Sequence, residues 1–182
     1  QAIANNFVSG IILLFERPIK SGDFVTVGDV EGFVKKISIR ATEIETLDNQ
    51  DMLIPNSELV SGRVTNWVLH NPYGRLIVKI GVAYGSDIEK VSKILEETAN
   101  EHDQVISDGR ASPPKALFMA FGDSSLDFEL RVRIVDIKKR YDVLSDLNFT
   151  INQKFESEGI VIPFPQRDLH IKDWSEDSKK NK

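Results

Sequence analysis

The chain has 182 residues, is 41% hydrophobic and 28% charged, and carries a formal net charge of -5. That length can bury a real core in one large domain or two small ones. The acidic balance argues against a generic nucleic-acid binder, which carries a basic footprint. The absence of cysteine removes disulfides, thiolate metal sites and thiol catalysis.

From Ile3 to Phe15 the chain is apolar, interrupted chiefly by Asn5, Asn6 and Ser9, and the run breaks at Glu16-Arg17-Pro18. A spanning helix needs about 20 apolar residues, so the run is apolar enough to enter a bilayer and too short to cross one. It reads as the tail of a membrane segment cut off upstream, consistent with a first residue, Gln1, that is not an initiator methionine. The expectation is the soluble part of a larger membrane protein. A signal peptide would place basic residues ahead of the apolar run; here Arg17 and Lys20 follow it, an arrangement that favours the cytoplasmic side. Within the run, Ile3, Phe7, Ile11 and Leu14 form one apolar stripe of a helix over about Ala2 to Phe15. Gly10 weakens that helix and marks a bend or a close helix approach. Pro18 ends it.

Between Ile19 and about Leu69 the signals change to short strands and tight turns. Phe24 to Val27 is a strand bounded by Ser21-Gly22-Asp23 and Gly28-Asp29, and Val30 to Thr46 is rich in β-branched residues with Gly32 as a bulge or bend. Met52 to Pro55 follows a turn at Leu47 to Asp51, and Arg63 to Leu69 supplies a last strand. This spacing suggests a small, strongly bent barrel. Asn71-Pro72-Tyr73-Gly74 is the natural boundary.

Beyond it the order is strand, helix, strand, strand, helix. Arg75 to Ala83 alternates, and Ser86-Asp87-Ile88-Glu89 reads as a capping box opening a helix with Ile88, Val91, Leu95 and Thr98 on one side. Ala116 to Phe121 and Leu126 to Val135 pair around Gly122 to Ser125. In the second of these Leu126, Phe128, Leu130, Val132 and Ile134 face one way, and Asp127, Glu129, Arg131 and Arg133 the other, giving one dry and one wet face. A second helix carries Tyr141, Leu144, Leu147, Ile151 and Phe155 and stops at Gly159. The order fits a split βαβ, ferredoxin-like sandwich, so the fold class is α+β. In Ile160 to Lys172, Pro163 and Pro165 exclude a central strand, and the alternation at Leu169 and Ile171 needs pairing with the same sheet or with copies of itself. Asp173 to Lys182 is polar and expected to be disordered.

Chemistry-bearing patterns are absent from this sequence. His70, His102 and His170 lie in separate elements without paired ligand spacing. Ser124-Ser125 has turn chemistry and no nucleophile elbow, and Gly81 and Gly85 lack the glycine-lysine of a phosphate loop. No catalytic, metal or cofactor residue is assigned, no cofactor is expected, and the chain is not read as an enzyme. The row Asp127, Glu129, Arg131 and Arg133 reads as a solvated strand face, its opposite signs cancelling beyond a Debye length. One rival reading is an RNA-binding module, since small barrels and split βαβ sandwiches both serve RNA. It requires exposed aromatics and basic residues, whereas Phe128 points inward with Leu126 and Leu130. Another rival is a soluble regulatory domain with a small ligand in the α/β part, for which no residue set specifies the ligand.

Five motifs stand in order: the apolar helix ending Phe15-Glu16-Arg17-Pro18, then Ser21-Gly22-Asp23, Ile54-Pro55-Asn56-Ser57, Gly81-Val82-Ala83-Tyr84 before Ser86-Asp87, and Ile162-Pro163-Phe164-Pro165-Gln166. Through them the chain, from Gln1 to about Lys172, resembles the MscS-like mechanosensitive channels, the small-conductance family. The resemblance implies a homoheptamer in the inner membrane, with this portion on the cytoplasmic side. Residues 1–18 would be the membrane-proximal half of the pore helix, 19–70 an Sm-like β domain, 71–160 a ferredoxin-like α/β domain, 161–172 a strand of an intersubunit barrel and 173–182 a tail. It implies a tension-gated channel that passes ions and small osmolytes, with the pore constriction upstream, the lipid bilayer as a partner and no nucleic acid. Gly10 becomes a gating or hinge candidate, because this chain has Ala2 where some members have a kink glycine. Arg17, Pro18 and Lys20 become membrane-proximal coupling candidates, with Arg17 at lipid headgroups or on the β domain. Leu169 and Ile171 become barrel candidates.

Overall fold

The computed structural model describes residues 2–170. Helix α1 (Ala2–Glu16) leads into a five-stranded antiparallel sheet built from β1 (Phe24–Val27), β2 (Val30–Ile37), β3 (Ala41–Thr46), β4 (Asp51–Pro55) and β5 (Val64–Asn66), with a short helix α2 (Asn56–Ser61) between the last two. The strand order is β4-β3-β2-β1-β5. The first four strands are a meander of tight connections, as their turn residues dictate.

The barrel expected from strand spacing does not close: β4 and β5 are the two edges, and no pairing joins them among the described residues. Two features account for this. The three residues of β5 offer a short edge, and α2 occupies the chain that would otherwise bring β4 alongside it. The open side is filled by helices instead. Leu13 of α1 and Leu59 of α2 enter one buried cluster with Ile19, Val25, Val27, Val34, Ile44 and Ile54. Gly32 is not the bulge; the register shifts between Val34 and Lys36. Gly32 is needed for close approach, since a Cβ there would run into the Glu45 carbonyl group. The sequence reading missed α2 altogether, treating Asn56 and Ser57 only as part of a motif.

The second half carries β6 (Gly74–Val82), α3 (Ile88–Glu101), β7 (Lys115–Phe121), β8 (Leu126–Ile134) and α4 (Arg140–Glu158). The antiparallel sheet has the order β6-β8-β7, that of a split βαβ sandwich. Strand β8 alternates as its sequence demands: Leu126, Phe128, Leu130, Val132 and Ile134 are buried. On its other face Arg131 donates to Glu129 at 3.0 and 2.8 Å. Both helices cover the dry face, with Val91, Ile94, Leu95 and Ala99 from α3 and Val143, Leu147, Ile151 and Phe155 from α4 in one cluster.

Two details differ from expectation, and one concerns the end of the chain. The cap of α3 is Asp87 rather than Ser86, its carboxylate accepting from the Glu89 and Lys90 amides at 3.0 and 3.1 Å. An anion at a helix N-terminus also gains from the helix dipole. Tyr141 is exposed and Val143 takes its place in the core, because the start of α4 turns towards the first sheet. Finally, Ile160 to His170 pairs with no strand among the described residues. Its backbone is held at Val161, whose carbonyl accepts from the Ala83 amide at 2.8 Å. Two positions bracket the packing. Phe155→Ala removes a ring that is 1% exposed and is expected to cost about 3–5 kcal/mol, whereas Leu53→Ala at an exposed position is expected to cost no more than about 0.5 kcal/mol. Urea unfolding followed by circular dichroism measures both.

Candidate functional site

Helix α1 has two unlike faces. The apolar stripe points away from the sheet: Ile3, Phe7, Val8, Ile11, Leu14 and Phe15 are all exposed. The docked face carries one core side chain, Leu13, beside the small and polar residues Ser9 and Gly10, all three buried, and Asn6 is half-buried. A helix in water normally does the opposite. At 15 residues, α1 rises about 22 Å, and no helix among the described residues is long and apolar enough to cross a membrane.

Its docking is polar and close. Helix α2 begins at Asn56 after Pro55, which provides no side-chain cap. Asn6 of α1 supplies what is missing, its Oδ1 accepting from the Ser57 amide at 3.0 Å. One helix thus satisfies an orphan amide of another. One turn further on, Gly10 lies against the loop between β2 and β3. A Cβ at this position would collide with the Ile39 carbonyl oxygen and stand 2.7 Å from Asn56 Nδ2. Asn56 itself has no solvent exposure. Its Oδ1 accepts from Thr42 Oγ1 at 2.9 Å, and its Nδ2 donates to the Ser38 and Ile39 carbonyls at 2.8 and 3.1 Å. Its backbone amide donates to the Arg40 carbonyl at 3.0 Å. The loop that receives Gly10 is therefore itself held by a buried amide whose nitrogen and oxygen both have partners.

The helix ends in an unusual way. Arg17 adopts φ of 52°, a left-handed conformation that costs a non-glycine residue roughly 1–2 kcal/mol, and its amide donates to the Leu13 carbonyl at 3.0 Å. Arg17 is exposed, as are Pro18 and Lys20. The Pro18 carbonyl accepts from Asn66 Nδ2 at 3.0 Å, and the Lys20 amide donates to Asp23 Oδ2 at 2.9 Å. Asn66 Nδ2 also donates to Asp23 at 2.7 Å, so the exit from α1 is fastened to the start of β1 and the end of β5. Leu169 is exposed; Ile171 lies outside the described residues.

A second contact joins the two sheets. Arg140, the first residue of α4, donates to Glu31 of β2 and to Tyr141 Oη at 2.8 Å. Its guanidinium lies 5.5 Å from the ring centres of Phe24 and Trp67 and 4.6 Å from that of Tyr141. Burial works against the Arg140 cation, but hydrogen bonds to Glu31 and Tyr141 outweigh it and hold its pKa above the ordinary value. Phe24 itself belongs to the core of the second half.

The docking residues Asn6, Asn56 and Ser57, and the pair Arg140 and Glu31, went unremarked as a site in the sequence. Asn5-Asn6 inside an apolar helix was the available signal for the first set, because amides there require partners. Nothing local signals the second pair, 109 positions apart. Among the described residues no group of three or more histidines or carboxylates is placed to hold a metal ion.

Comparison with known proteins places this architecture. Residues 2–69 match the mechanosensitive ion channel β-domain, and residues 76–162 match the mechanosensitive ion channel MscS C-terminal domain. An MscS family protein of Haemophilus influenzae is 45% identical over 172 residues, covering 94% of this chain and 15% of that protein. The mechanosensitive channel MscK of Escherichia coli is 44% identical over 171 residues with the same two coverages, 94% and 15%. The chain thus spans 15% of the length of these relatives. The crystal structure of Helicobacter pylori MscS in its closed state superposes with a TM-score of 0.84 at 28% identity, over 94% of this chain and 66% of that one. The fold also matches Arabidopsis thaliana MSL1, with a TM-score of 0.73 at 20% identity, over 90% of this chain and 60% of that one. Two consecutive matches that together run from α1 past the end of α4 leave one conclusion: the chain belongs to the MscS-like mechanosensitive channel family.

Proposed function

We propose that this chain is the water-facing portion of a tension-gated channel that releases ions and small osmolytes on hypo-osmotic shock. The observation that carries the reading is the inverted helix α1. An apolar face turned outward suits lipid or the matching helices of neighbouring subunits, while Asn6 bonds α2, Gly10 abuts the loop between β2 and β3, and Leu13 enters the first core. The names of the relatives support it.

On this reading, residues 1–18 are the membrane-proximal half of the pore helix, 19–70 the β domain, 71–160 the α/β domain, 161–172 a barrel strand and 173–182 a tail. The pore constriction lies in a part of the protein outside this chain, which conducts nothing alone. The assembly is a homo-oligomer, a ring of seven, in the inner membrane with this portion on the cytoplasmic side. Leu169 and Ile171 would pair with copies of themselves, as an isolated strand requires.

Membrane tension does work on the in-plane area difference between closed and open states, so tension populates the wider one. Helix α1 transmits that change to the β domain through two contacts of different kind. Asn6 is a directional hydrogen bond that locks register. Gly10, expected as a hinge, acts as a contact at which helix and loop backbones touch. Arg17 and Pro18 stop the helix, and Arg17 and Lys20 place positive charge where it meets headgroups.

Two measurements test this. In the full-length protein, Asn6→Ala removes a bond worth about 1 kcal/mol and Gly10→Ala forces the helix off its seat; both are expected to shift the tension threshold or the closing rate in membrane patches. Traces indistinguishable from wild type would refute the coupling role. Native mass spectrometry of the full-length protein in detergent is expected to give seven subunits, and a dimer or monomer as the sole species would exclude the ring.

A further inference from the structure

The start of α4 is a poor place for cations. Lys138, Lys139 and Arg140 follow one another there, at the end of a helix where the dipole is positive and where an anion would be favoured. Lys138 and Arg140 reach partners in the other half of the molecule. Arg140 pairs with Glu31 and lies near the rings of Phe24 and Trp67. Lys138 Nζ donates to the Gly22 carbonyl at 3.0 Å and sits 5.4 Å from the centre of the Phe33 ring. The receiving surface is braced: Trp67 Nε1 donates to Thr26 Oγ1 at 2.8 Å, and Thr26 Oγ1 donates to Glu31 at 3.4 Å. Phe24 and Phe33 are cross-strand partners with ring centres 5.0 Å apart.

The position of Glu31 matters. It lies at the beginning of β2, and the loop that seats Gly10 follows the other end of the same strand. From Glu31 to Ser38 is a run of roughly 23 Å at strand rise. One strand therefore touches α1 at one end and Arg140 at the other.

We propose that Arg140 is a positioning residue for gating: it latches the α/β half onto β2 so that a displacement of α1 and the placement of the α/β half are felt by each other. This rests on the channel reading above. The guanidinium suits the task because it is planar, permanently charged, and able to stack on aromatic rings while it bonds a carboxylate. A lysine would keep the charge and lose the stack. The coupling element is the hydrogen-bonded strand itself, paired with β1 over Val30 to Phe33 and with β3 from Gly32 to Ile37 across one register shift.

The test uses the full-length protein in membrane patches under held tension, with Arg140→Gln, Glu31→Gln, the double variant and Arg140→Lys. The readout is the rate at which current declines, beside the tension threshold. Each glutamine variant is expected to change the rate of decline roughly 2- to 30-fold, the range for residues that couple two sites. The double variant should change it no more than Arg140→Gln alone, since Glu31→Gln removes a bond that Arg140→Gln has already removed. Arg140→Lys should fall between wild type and Arg140→Gln. Ile151→Val, a mild loosening of the same helix in the core, controls for stability alone and is expected to leave the rate unchanged. If Ile151→Val moves the rate as far as Arg140→Gln does, or if the glutamine variants add independently, the latch is overturned. Wild-type current with unaltered variants also overturns it and leaves the channel reading standing. A wild-type protein silent under tension overturns both.

Discussion

Asn56 has no exposure, yet both hydrogens of its amide and its carbonyl oxygen have partners, the Ser38 and Ile39 carbonyls on one side and the Thr42 hydroxyl on the other. A buried amide left without partners is costly, and a fully partnered one fixes the backbone that partners it. Here it fixes the loop between β2 and β3 as a floor. Gly10 rests on that floor with no space for even a methyl group, and Asn6 bonds the next residue of α2. The seat of α1 is thus a consequence of how one polar side chain is satisfied inside the first core.

That seat explains why an apolar helix can present its apolar side outward. Exposed Ile, Phe and Leu in a row form the kind of patch a lone soluble domain avoids. It persists because the helix is held on its other side by the Asn6 hydrogen bond, by Leu13 in the first core and by close backbone contact at Gly10. The strain at Arg17 belongs to the same arrangement: the helix must stop at once for Ile19 to enter the core, where it is 2% exposed, and no glycine is present at that turn.

Much of the architecture was legible because it depends on local periodicity. The alternation in β8, the stripe Leu147, Ile151 and Phe155 of α4 and the stop at Gly159 come from two periods, two and about 3.6, and each was read correctly. The barrel was misread because strand spacing reports how many strands form, while closure depends on whether the last edge meets the first. A three-residue β5 and the intervening α2 decided that. Helix α2 escaped notice because six residues after a proline carry too little periodicity to register. The cap of α3 shifted by one residue, from Ser86 to Asp87, because two adjacent residues both have capping side chains and only the backbone turn selects between them.

The sequence by itself determined the α+β class, the order of the strands and helices after Gly74, the inward residues of β8 and the presence of an apolar helix too short to span a bilayer. These follow from side-chain patterning along single elements. Only the tertiary structure decided which face of α1 is docked, that Asn6 caps a helix 51 positions away, and that Arg140 reaches Glu31 across the two halves. Those choices are made by long-range bonds and by the exclusion of a Cβ at Gly10, and neither leaves a periodic trace in the chain.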